Sequence, residues 1–131
     1  MNKRLITFAG AALTLAASLS MAQAGAKDYE FQPVKTEVGS GTGGDVAARL
    51  VQKASGTPVA NAVIFRSRLD MSPEVMGDMT GTITPEPSSE PGVYRFKAWP
   101  TMAGKWALKL LAKVPGESET VEGLVVITAK E

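Results

Sequence analysis

The sequence predicts an all-β sandwich of about seven short strands. Apolar and polar residues alternate with a period of two in several stretches. Gly- and Pro-rich turn signals separate these stretches at roughly ten-residue intervals, the spacing of a β-sandwich. The chain has no His and no Cys among its 131 residues, so neither a disulfide nor a zinc-thiolate centre substitutes for a core.

The first 24 residues stand apart. Met1-Asn2-Lys3-Arg4 is basic, Leu5 to Leu19 is apolar, and Ala22-Gln23-Ala24 is a small-x-small cleavage pattern. This is the layout of a cleaved secretory signal peptide, with residues 25–131 as a single mature domain. The apolar run is shorter than the ~20 residues that span a bilayer, so no membrane span is expected in the mature chain. Export without disulfides points to a periplasm. Of 14 basic and 13 acidic residues, Lys3 and Arg4 fall in the leader, leaving 12 against 13 and a net charge of −1. That excludes the strongly basic surface that nucleic acid requires.

The elements follow in order. Gly25 to Asp28 reads as a frayed end. Tyr29 to Val38 is the first strand; Pro33 lacks a backbone N–H, which confines it to an edge or a bulge. Gly39 to Gly44 reads as a flexible connection, since it lacks the Gly-Lys-Ser/Thr ending of a phosphate loop. Asp45 to Lys53 places Val46, Ala48 and Leu50 on one face. Val59 to Leu69, Gly81 to Thr84, Val93 to Trp99, Lys105 to Val114 and Thr120 to Thr128 complete the seven. Lys105 to Lys113 has helix-favouring composition, but its alternation assigns it to a strand. Arg66, Arg68, Arg95, Lys97, Lys105 and Lys109 alternate out of the strands as an exposed sheet face, to which an acidic partner surface would be suited without being specified.

Between Asp70 and Met79 the alternation breaks. Met71, Met76 and Met79 fall within nine residues, alongside Pro73, Gly77 and the acids Asp70, Glu74 and Asp78. Met102 lies in the Pro100-to-Gly104 corner, flanked by Trp99 and Trp106. Thioether sulfur is soft, neutral and proton-free, which suits Cu(I) or Ag(I). Met71, Met76, Met79 and Met102 are therefore the candidate metal ligands, with Asp78 and Trp99 beside them. A second reading has the same side chains capping the sandwich end, and a third has them contacting a partner protein. The acids lack EF-hand spacing, which argues against calcium. Without His or Cys, and with no nucleophile matched to the pairs Glu74/Asp78 or Glu117/Glu119, the chain is not expected to be an enzyme.

The run Gly92-Val93-Tyr94-Arg95-Phe96, followed by Trp99-Pro100-Thr101-Met102-Ala103-Gly104-Lys105-Trp106-Ala107-Leu108, resembles the C-terminal half of YtkA-like/FixH-like exported domains. Their Met-rich upstream loop is similar to Met71 to Met79 here. The resemblance runs over roughly residues 30 to 128 and implies an immunoglobulin-like sandwich. It also implies a periplasmic role in copper or other heavy-metal handling, as an accessory to an efflux system or to metalloenzyme assembly. Two departures matter. Related copper carriers usually include a His, so its lack here favours Cu(I) over Cu(II). FixH-like members usually keep a membrane anchor, whereas this leader looks cleavable. The alternative function is a metal-free adaptor that binds a membrane efflux or oxidase-assembly complex through its Met/Trp end.

Overall fold

The computed structural model describes residues 25–131; residues 1–24, expected from the sequence to be a signal peptide, lie outside them. Eight strands are formed: β1 (Tyr29–Lys35), β2 (Glu37–Gly39), β3 (Gly44–Gln52), β4 (Val63–Met71), β5 (Met76–Glu86), β6 (Val93–Trp99), β7 (Gly104–Lys113) and β8 (Val121–Lys130). Their hydrogen-bonded order is β1-β3-β6-β5-β4-β7-β8-β2. All pairings are antiparallel except β2 with β8, which is parallel.

Strand β5 joins the two halves of this order. Met76, Thr80 and Gly81 pair with β4, and Thr82 to Glu86 pair with β6. The switch falls at Gly81, where a Cβ would lie 2.6 Å from the Trp99 carbonyl oxygen and 2.9 Å from Leu69 Cδ2, so only glycine fits. The sheet folds over at this strand into two layers, β1-β3-β6 against β4-β7-β8-β2. This is the immunoglobulin-like arrangement that the sequence resemblance implies.

The alternation gives the core. Val46, Ala48 and Leu50 from β3, Phe96 and Ala98 from β6, Trp106, Leu108 and Leu110 from β7, and Val121, Val125 and Ile127 from β8 are buried in one cluster. Phe31 of β1 lies on Gly123 of β8 and ties the two layers together. Lys105 to Lys113 is a strand despite its composition, because its neighbours β4 and β8 satisfy its backbone on both sides.

Four expectations are corrected. The first strand divides at Thr36, because β1 pairs with β3 in one layer and β2 with β8 in the other. Pro33 does sit on the outermost strand, beside a register shift. Gly39 to Gly44 is a tied turn: the Gly41 N–H donates to the Pro100 carbonyl, the Gly43 N–H to the Gly39 carbonyl, and the Trp99 indole lies against Gly43. Gly25 to Asp28 is anchored, with the Ala26 N–H donating to Glu119 at 2.7 Å. The basic residues divide between two surfaces. Arg95 and Lys97 on β6 meet Asp45, whereas Arg66, Arg68 and Lys109 stand on β4 and β7.

Candidate functional site

The Met-rich segment connects β4 to β5. Leu69, Asp70 and Met71 end β4 fully buried. Ser72–Glu74 then forms one 3-10 turn, with Pro73 pre-set for its first positions. Val75 closes the turn at φ 60°, ψ 32°, a left-handed conformation that a β-branched residue rarely adopts, and its side chain is 92% exposed. Met76 opens β5 as the register partner of Met71. The next pair is Asp70 with Thr80, so Gly77, Asp78 and Met79 bulge out of the ladder between them. This bulge, and not a straight strand, sets the relation of Met76 to Met79.

Asp70 clamps the segment. One carboxylate oxygen, Oδ2, accepts from Arg68 Nε at 2.7 Å and faces Lys109 Nζ at 3.0 Å; Oδ1 accepts from the Ser72 N–H at 3.0 Å. Arg68 also donates to the Gly77 carbonyl at 3.0 Å, which ties down the far side of the turn. Burial raises the Asp70 pKa, but the hydrogen bonds from Arg68, Ser72 and Lys109 outweigh it and hold the carboxyl well below the usual carboxylate range. Asp70 is thus neither a solvated loop acid nor a free ligand. The strand spacing of Arg68 and Asp70, two residues apart on one face, is the sequence signal for this pair.

The Pro100-to-Gly104 corner meets the same segment. Glu74 accepts the Lys105 N–H at 2.8 Å. At Gly104 (φ +137°), a Cβ would lie 2.9 Å from Met71 Cε and 3.1 Å from Glu74 Oε2. The Met102 carbonyl accepts from Trp106 Nε1 at 3.0 Å, and Trp106 is fully buried. Met71 is therefore packed against the corner that carries Met102. The β5–β6 register ends at Thr82 with Trp99, before Met79 and before the corner that carries Met102.

The four candidate ligands thus fall at one end of the sandwich, but in two environments. Met71 is 1% exposed and belongs to the core cluster. Met76, Met79 and Met102 are 38%, 39% and 41% exposed. Asp78 is exposed on the bulge. Trp99 is turned to the Gly39–Gly44 turn, with its indole on Gly43. Among the described residues no three His, Cys, Asp or Glu side chains cluster in a metal-binding arrangement. Of the carboxylates at this end, Asp70 and Glu74 are held in hydrogen bonds, and Asp78 stands on the bulge beside Met79. The other paired acids have structural partners: Glu117 accepts from the Tyr29 hydroxyl and Glu119 from the Ala26 N–H.

Residues 23–111 match the YtkA-like family, and the chain belongs to it. The match spans the Met71–Met79 segment and the Met102 corner and ends within β7. It supports the YtkA-like part of the resemblance; the FixH-like part has no such match. No curated protein matches the chain. Among solved structures, the ZirS C-terminal domain is similar at 14% identity and a TM-score of 0.44, with 95% of this chain and 88% of that chain covered. No helix among the described residues is long and apolar enough to cross a membrane.

Proposed function

We propose that this YtkA-like protein is a periplasmic accessory protein that carries one Cu(I) or Ag(I) ion as cargo. Met76, Met79 and Met102 supply half-exposed thioethers, and Met71 supplies the fourth from the buried side. What carries this reading is the donor set: four sulfurs at one end of the fold, with no cluster of hard donors among the described residues to compete. The Asp70–Arg68 clamp and the Glu74–Lys105 hydrogen bond hold the two methionine-bearing segments beside one another. Neutral, half-exposed ligands can be exchanged one at a time, which suits transfer to an efflux system or a metalloenzyme-assembly protein.

Titration with Cu(I) against a competing chelator, followed by native mass spectrometry, tests this. One retained ion, lost in the Met76→Leu, Met79→Leu, Met102→Leu variant, supports it. No retention above the chelator overturns it.

A second reading rests on Val75. A 92% exposed apolar residue beside Met76 gives this end the character of a contact surface. Under this reading the end docks on a membrane efflux or oxidase-assembly complex without metal. Leucine preserves apolar volume and removes sulfur, so the triple variant would keep the docking and lose nothing.

A further inference from the structure

Ten large apolar side chains are exposed among the described residues. Five of them belong to the methionine end. Four others, Val63, Phe65, Leu124 and Val126, belong to β4 and β8. Register places them with a group of cations on the outer face of β4, β7 and β8. Across these strands Val63 stands opposite Lys113, Arg66 opposite Leu111 and Glu122, Arg68 opposite Lys109 and Leu124, and Asp70 opposite Ala107 and Val126. A groove of about 550 Å³ runs between them, lined by Arg66, Arg68, Lys109, Leu111, Glu122 and Leu124.

The charge on this face opposes that of the chain. Four cations (Arg66, Arg68, Lys109 and Lys113) face two carboxylates, and one of these, Asp70, is buried beneath Arg68 and Lys109. With Lys105 on the same face of β7, and Lys130 paired to Glu37, the face carries +3, whereas residues 25–131 carry −1. Arg66 and Lys113 form no ion pair among the described residues, and Lys113 Nζ lies 6.0 Å from the Phe65 ring centroid. Cations and apolar side chains are neighbours in the same rows, about 5 Å apart across the strands. An occupant must therefore offer carboxylates and apolar groups at the same short spacing, which a polyanion of uniform charge does not.

We propose that the outer face of β4, β7 and β8 binds an acidic segment of a partner protein in which apolar residues stand between carboxylates. Arg68 and Asp70 join the face to the methionine segment, but none of the four methionines lines the groove, so cargo and partner can be held together.

The probe is a short synthetic peptide of alternating glutamate and leucine, with a lysine–leucine peptide as control, titrated into the purified protein with amide shifts read by NMR. The expected result is a shift of the Arg66, Leu111 and Leu124 amides. The Arg66→Glu, Lys113→Glu variant is expected to weaken binding about tenfold, with the Met76/Met79/Met102 leucine variant unaffected. Leu124→Asp is a second variant that leaves the cations in place and should also weaken binding. Equal binding of the lysine peptide, unchanged affinity in both face variants, or shifts confined to the methionine end would overturn the proposal. Binding of phosphatidylglycerol vesicles that is lost in the same variants would assign the face to a membrane and overturn it. Concentration-dependent shifts of these amides without peptide would assign it to a second copy, with the same consequence.

Discussion

Met71 and Met76 are register partners across the β4–β5 connection, yet only Met76 reaches solvent. One sulfur of the pair belongs to the core and the other to the rim. The end of the sandwich is therefore continuous with its interior, from Met76 at the rim through Met71 to Gly104.

Cu(I) affinity is expected to stay nearly constant between pH 7 and about pH 5, because thioethers carry no titrating proton. Chelator competition at the two pH values measures this. A steep loss on acidification would assign the ion to carboxylates such as Glu74 and Asp78.

Asp70→Asn is expected to destabilise the fold by about 2 kcal/mol at neutral pH, the scale of hydrogen bonds to a charged group. Arg68 and Lys109 are roughly half exposed, so solvent recovers part of what the cations lose. The folded-state pKa of Asp70 lies below its unfolded value of about 3.9. Its contribution is thus complete above that pH and declines as pH falls toward the folded value. Urea unfolding across this window should show an acid-sensitive component in the parent that is missing from the variant.

Gly104→Ala is expected to cost about 2 kcal/mol, since it combines a positive φ with contacts on Met71 and Glu74. Combined with Met71→Ala, the loss should fall short of the sum by about 1 kcal/mol, because the space for the new Cβ is then open. A thermal-unfolding double-mutant cycle measures the coupling.

Val75→Gly is expected to stabilise the chain by up to about 1 kcal/mol by relieving the left-handed β-branched residue. The gain is reduced by the greater freedom of glycine in the unfolded chain. Under the docking reading, the same variant should weaken partner binding while raising the melting temperature.

The strands were legible because burial on one face writes alternation into the sequence, as in Val93 to Trp99 and Lys105 to Lys113. The methionine group was legible as crowding within nine residues. What could not be read locally depended on distant partners. Asp70 looks like a loop acid until Lys109, from another strand, is placed above it. Gly39 to Gly44 looks free until Pro100 and Trp99 close on it. The start of β5 at Met76 was hidden because Gly77 and the bulge interrupt the period of two. The break at Thr36 follows from a change of layer, which no single-strand pattern records.

Strand β5 has a mechanical consequence. At about 3.3 Å per residue, its regular part from Thr80 to Glu86 reaches about 23 Å. It acts as a rivet through both plates of the sandwich, with Met76 and Met79 at its head and Glu86 at its foot. Load applied at the head enters the β4 layer through the Met71 and Thr80 pairings and reaches β6 only beyond Gly81. Gly81 is thus the joint at which the two plates come to share one strand.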